Sequence, residues 1–208
     1  MTVIALVGNK GGAGKTTIAV NLATALGQNA TTALLDADPQ GSALQWRAIA
    51  ERAEGPDVYD ASEDLEGLVD EVTPRYEHVV IDCPPSVHAP QTHAALNVSG
   101  LALVPVQPSP VDLWATVHIA RAIQTARGHN LRLDALLVIN QLEARTTLSR
   151  IMPVALEELE LPIARTALRR RAVWRASAVE GKSVLDMGRR GADASSELHE
   201  LLSEVLSQ

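Results

Sequence analysis

Ten residues near the N-terminus, Gly8-Asn-Lys-Gly-Gly-Ala-Gly-Lys-Thr-Thr17, lie between an apolar run, Thr2–Val7, and a helix-forming stretch, Thr16–Leu26. Strand, glycine loop and helix in that order is the setting in which backbone amides surround a phosphate. Gly11, Gly12 and Gly14 allow backbone conformations closed to residues with a Cβ, so successive N–H groups can turn toward phosphate oxygens. The anion then rests at a helix N-terminus, where unsatisfied amides and the macrodipole both favour negative charge. In this pattern Lys15 reaches the β- and γ-phosphates and the Thr16 hydroxyl ligates Mg²⁺, with Ala13 and Thr17 completing the contacts. The cofactors it implies are a nucleotide and Mg²⁺. Two departures stand out: Asn9 occupies the first glycine position, and a second lysine, Lys10, precedes Lys15.

The rest of the chain repeats the theme of an apolar run followed by a helix. Strand-like runs fall at Thr2–Val7, Thr32–Leu35, Val79–Ile81, Leu101–Val106 and Leu133–Ile139, and helical stretches at Thr16–Leu26, Ser42–Ala53, Glu63–Val72, Val111–Ala126 and Thr147–Leu159. Strands apolar on both faces, alternating with helices, predict an α/β fold: a three-layer, doubly wound, mostly parallel sheet in one domain spanning residues 1–208. Ligands of such sheets gather beyond the C-terminal ends of the strands. Four of the runs end there in candidate site residues: the loop at Gly8, then Asp36, Asp82 and Asn140.

Leu34-Leu-Asp36-Ala-Asp38-Pro-Gln40-Gly follows the second run. It fits a helix N-cap with a proline-led turn, and it also fits a carboxylate poised to position water near a γ-phosphate. Tyr76-Glu-His-Val-Val-Ile-Asp82-Cys-Pro-Pro has the form of a strand ending in a magnesium-holding acid, which places Asp82 beside Thr16. The segment Pro84–Ala89 would then sense the γ-phosphate. Cys83 reads as a small buried neighbour. As the lone cysteine it cannot form an internal disulfide, in keeping with a reducing compartment.

The run Lys10-Gly-Gly-Ala-Gly-Lys-Thr resembles the deviant Walker A motif of the ParA/MinD family of P-loop ATPases. Asp36-Ala-Asp38-Pro-Gln resembles that family's D-x-D-P-Q motif, and Asp82-Cys-Pro-Pro its D-C-P-P stretch. The resemblance implies hydrolysis at Asp38 with Asp36 in support, and a dimer formed with ATP in which Lys10 crosses to the partner's phosphates while Lys15 holds its own. It also makes Val104-Pro-Val-Gln-Pro108-Ser-Pro110-Val-Asp112 a wall for adenine, with Pro108 against the nucleotide, and the dimer contact, with Asp112 capping the next helix, and it makes Asn140 a contact to the base.

Charge is unevenly spread. The net formal charge is −7, yet between Arg165 and Arg190 eight cations face two acids, giving +6 there and −13 elsewhere. The stretch holding Arg169, Arg170, Arg171, Arg175 and Lys182 resembles the ParA-type segment that supplies arginines for non-specific DNA binding. Such binding needs only cations set against phosphates. The same residues also fit a solvated helical face, or pairing with the acidic remainder. Trp174 reads as a packing residue.

At the C-terminus Leu198, Leu201, Leu202, Val205 and Leu206 recur at helical spacing, but the polar positions Glu197, His199, Glu200 and Glu204 would be repelled by anionic lipid, so a helix packed on the domain is expected. No apolar run reaches membrane-spanning length and no basic leader precedes the first strand, so neither membrane attachment nor a signal peptide is expected. The combined expectation is a cytoplasmic, ParA-type partition ATPase of the kind without an N-terminal DNA-binding extension, nucleoid-associated when ATP-bound. Its homodimer would bind DNA, and a ParB-like or cargo-adaptor protein would stimulate hydrolysis. Plasmid or chromosome DNA is the favoured cargo. A protein cargo such as a carboxysome or chemoreceptor cluster is the alternative, and a nucleotide-binding regulatory scaffold or a MinD-like membrane-associated ATPase stands further off.

Overall fold

The computed structural model describes residues 2–50 and 55–208. Six strands, β1 (Thr2–Leu6), β2 (Thr32–Asp36), β3 (Asp57–Asp60), β4 (His78–Asp82), β5 (Leu101–Val106) and β6 (Asp134–Ile139), form one sheet in the order β3-β2-β4-β1-β5-β6. Every pairing is parallel, so the mostly parallel sheet expected from sequence is wholly parallel among the described residues. Among the described residues eight α-helices accompany it: α1 (Lys15–Leu26), α2 (Ser42–Ile49), α3 (Leu65–Val72), α4 (Pro90–Val98), α5 (Pro110–Arg127), α6 (Thr147–Glu157), α7 (Ala172–Val179) and α8 (Ala192–Val205), with a short 3₁₀ helix at Val184–Arg190. The predicted continuation of α2 through residues 51–53 lies outside the described residues.

Strand periodicity divides the core into two layers. Val3, Ala5 and Val7 face one side with α3, α4, α5 and α6; Ile4 and Leu6 face the other with α1, α2, α7 and α8. Helices α1 and α4, which follow the adjacent strands β1 and β4, therefore leave for opposite faces of the sheet. Their connecting loops part at the C-terminal edge and open the crevice in which α/β sheets bind ligands.

Helix α8 settles the C-terminal pattern. Leu198, Leu201, Leu202 and Val205 are buried against the α1 side of the sheet, each such side chain contributing about 2 kcal/mol, and Leu206 alone of the five stays exposed. The amphipathic stretch is a packing helix. No helix among the described residues is long and apolar enough to cross a membrane.

Candidate functional site

The phosphate loop leaves β1 and enters α1 with Gly12 and Gly14 at φ 79° and 95°, in the left-handed region that favours glycine. At Gly14 the demand is double, because a Cβ there would also lie 2.3 Å from the Asn140 side-chain nitrogen. Lys15 is buried at 7% exposure, and its Nζ donates to the Lys10 carbonyl at 3.2 Å. Desolvation draws its pKa down against the pull of Asp82, Cys83 and Asp38. A cation held this way is charged yet poorly solvated, which suits it to a phosphate.

Asp82 ends β4 with no exposure, and neither carboxylate oxygen has a hydrogen-bond partner among the described residues. Burial pushes its pKa up to about 7; the Thr16 hydroxyl on its flank opposes this without closing a hydrogen bond in the geometry, and Asp36 adds to it. A buried carboxylate left without donors is costly unless a cation meets it. The donor set therefore fits Mg²⁺, with Thr16 and Asp82 as the protein's oxygens and phosphate and water supplying the others. No group of three or more His, Cys, Asp or Glu side chains with metal-holding geometry exists among the described residues, so such an ion would depend on the nucleotide. Cys83 is buried with its pKa raised by burial and by Asp82, as befits an inert thiol.

Asp36 and Asp38 divide their work. Asp36 accepts backbone N–H groups from Asp38, Ala43 and Leu44 at 3.2, 2.8 and 3.0 Å, which ties the start of α2 to the end of β2. Desolvation raises its pKa while those three bonds lower it. Its carboxylate is thus taken up by the backbone of the loop and of α2. Asp38 is half-exposed, with one oxygen on the Gln40 N–H at 3.0 Å and the rest of its carboxylate available to water.

Lys10 and Asn140 are occupied in ways the sequence did not suggest. Lys10 Nζ contacts Asp112 Oδ2 at 2.6 Å, so Asp112 is a lysine partner, and the cap of α5 is instead Ser109, which accepts the Asp112 N–H at 3.1 Å. Pro108 is half-buried two residues before the α5 helix begins. Asn140, expected to meet the base, donates to the Ala13 carbonyl at 2.7 Å and accepts the Gln141 N–H at 2.9 Å. Three residues were given no role in the sequence reading. Asn9 accepts the Val87 N–H at 3.0 Å and so fastens the phosphate loop to the segment after β4. Gln107 and Gln141 both donate to the Gly12 carbonyl. The signal for Asn9 was its place in a glycine position; the two glutamines carried none.

The basic segment is largely paired. Arg171 meets Glu197 at 2.8 Å and Asp193 at 2.7 Å, Arg170 meets Glu143, and Arg169 lies 3.7 Å from Glu197. Lys182 and Arg190 share Glu180 at 2.9 and 3.2 Å. Arg175 and Arg189 are exposed and have no ion pair among the described residues. Pairing with the acidic remainder, one of the uses left open for these residues, thus accounts for most of them.

A family profile described as the CobQ/CobB/MinD/ParA nucleotide binding domain matches residues 4–184. The chain belongs to this nucleotide-binding family. Its relatives include the maintenance of carboxysome distribution protein A of Halothiobacillus neapolitanus, 39% identical over 98% of this chain and 95% of that one. Another is the chromosome-partitioning ATPase Soj of Thermus thermophilus, 33% identical over 71% of this chain and 72% of its own length. Among solved structures, the ATP complex of a McdA protein from Cyanothece superposes with TM-score 0.82 at 16% identity, over 100% of this chain and 96% of that one. The Mg-ADP complex of the septum site-determining protein MinD from Pyrococcus horikoshii superposes at 0.75 and 20% identity, over 98% and 95%. Those likenesses establish the ParA/MinD P-loop fold. The nucleotides expected from this chain's loop are the ligands of those neighbours.

Proposed function

We propose that this ParA/MinD-family protein is an ATPase that positions a protein cargo, the carboxysome, through an ATP-dependent homodimer. The observation that carries the cargo is the full-length similarity, 39% over 98% of the chain, to a carboxysome distribution protein; the partition relatives match about 70%. The order of preference drawn from sequence, DNA first and carboxysome second, is reversed accordingly.

The chemistry follows from the residues. Amides of Gly11–Thr17 and the Lys15 ammonium neutralise the triphosphate, and Thr16 and Asp82 would hold Mg²⁺, which supplies charge compensation on the phosphate oxygens. Asp38, half-exposed at the rim, orients the attacking water. Lys10 reaches the partner's phosphates and stabilises charge on the leaving group, as an arginine finger does. Its present contact is Asp112 within the same chain, so crossing exchanges one carboxylate partner for a phosphate. The unpaired Arg175 and Arg189 support contact with nucleoid DNA in the dimer, and a partner protein releases the dimer by stimulating hydrolysis.

The test is light scattering and DNA binding with ATP, ADP and no nucleotide, together with imaging of carboxysomes in cells that carry or lack the protein. The expected results are a dimer and DNA binding with ATP alone, and clustered carboxysomes without the protein. Nucleotide-independent DNA binding, or evenly spaced carboxysomes in its absence, sinks the reading.

A further inference from the structure

Four side chains grip the carbonyl side of the phosphate loop. Gln107, just beyond β5, donates its amide to the Gly12 carbonyl, and Gln141, just beyond β6, donates to the same oxygen at 3.2 Å. Asn140 donates to the next carbonyl, Ala13, at 2.7 Å, and Lys15 donates to that of Lys10 at 3.2 Å. Gln141 reaches the loop from φ 55°, a left-handed backbone that costs a residue with a Cβ about 1 kcal/mol or more, and its N–H is held there by the Asn140 side-chain oxygen Oδ1 at 2.9 Å. Strain kept at a site edge needs a reason.

The geometry of the peptide unit supplies one. No peptide bond among the described residues is cis, and in a trans peptide the C=O and the following N–H point in opposite directions. Fixing the carbonyl of Gly12 therefore aims the N–H of Ala13 the other way, and fixing that of Ala13 aims the N–H of Gly14. These two amides belong to the run that must converge on the anion. Glycines make the loop able to adopt this shape, but they also make it able to leave it, and each residue that must be ordered on binding costs about 1 kcal/mol or more.

We infer that Gln107 and Gln141 are positioning residues that preorganise the phosphate loop, acting redundantly on the single Gly12 carbonyl from two different strands. They do not touch the nucleotide; they set the direction of the amide that does. The inference rests on the nucleotide reading of this loop.

Titration calorimetry with MgADP on the parent, Gln107→Ala, Gln141→Ala and the double variant tests it. Because either amide alone still holds the carbonyl, each single variant should bind within about threefold of the parent, and the double variant about thirtyfold more weakly. Gln107→Met in the Gln141→Ala background keeps the side chain's length without charge, loses the donor and should match the double variant. Both glutamines sit on half-exposed loop positions, so apo melting temperatures should stay together. ¹⁵N relaxation of the apo protein gives a second readout: the Gly12 and Ala13 amides should be rigid in the parent and both singles, with order parameters near about 0.85, and fall below about 0.6 in the double variant. Additive single effects, or a double variant with parental affinity and a rigid loop, overturn the inference. A parent that binds no MgADP overturns instead the nucleotide reading on which it stands.

Discussion

The phosphate edge and the arginine-rich segment are both cation-bearing regions, and they treat their charges in opposite ways. At the edge Lys15 is buried with only the Lys10 carbonyl as hydrogen-bond partner, and Asp82 is sealed from solvent without a donor, among the described residues, so both are set for a ligand. In the segment the cations are mostly exposed and mostly answered by acids from distant positions, Arg171 by Glu197 and Asp193, Arg170 by Glu143. A charge whose desolvation is not compensated within the protein points to a ligand. A charge already paired at the surface adds at most about 1 kcal/mol to the fold and must give up that pair to meet a polyanion.

The largest effect that could break this contrast is at the edge. Lys15→Ala should weaken MgATP binding by more than about a hundredfold, since a charge-assisted contact in a desolvated site is lost, whereas Lys10→Ala should keep most nucleotide affinity and lose ATP-dependent dimerisation. Calorimetry and light scattering read the two separately. If the two variants behave alike, Lys10 is a second contact in its own site and does not cross.

In the basic segment the contrast predicts a split within one residue type. Arg171→Ala should lower stability by about 1 kcal/mol, seen in a denaturant midpoint, and leave DNA affinity largely intact. Arg175→Ala and Arg189→Ala should leave stability unchanged, and each should flatten the salt dependence of ATP-dependent DNA binding by about one unit of slope. The opposite pattern would mean that the ion pairs open on DNA.

The smallest effect concerns Glu204, which accepts the Arg165 and Thr166 N–H groups at 2.7 and 2.8 Å. Burial alone would raise its pKa, but these bonds, the Thr166 hydroxyl and Arg165 outweigh it and hold it below the usual value. A depressed carboxylate contributes stability that is present above its unfolded pKa, near pH 4.5, and is lost as pH falls through the folded value. The acid limb of the stability curve should therefore be shallower in Glu204→Gln, by a fraction of a proton, in pH-dependent unfolding.

Element by element, legibility followed the strength of the local pattern. The five apolar runs became β1, β2, β4, β5 and β6 within a residue or two, because strands buried on both faces are written as continuous β-branched and aliphatic residues. β3 went unseen: Asp57-Val-Tyr-Asp60 is a short edge strand with acids at both ends, and it is a strand because β2 offers it a partner. Helix α4 was likewise passed over, since Pro90–Val98 is short and mixed in composition and only three of its residues are buried. At the site, the places of the glycine loop, Lys15, Asp36 and Asp82 at the C-terminal edge of the sheet were legible in the sequence. The present partners of Lys10 and Asn140 were not.

The order of residues along the chain was enough to give the alternating α/β plan, the phosphate loop and the family, because each is a local statement about periodicity, glycine freedom and motif spacing. Which amide holds which carbonyl, which acid silences which arginine, and which carboxylate is left bare could come only from folding. Those contacts join residues as far apart as Asn140 and Ala13 or Arg171 and Glu197, across elements whose neighbourhood no local pattern records. Desolvation, which turns an ordinary lysine or aspartate into a site, is a property of the packed interior and has no counterpart in the sequence.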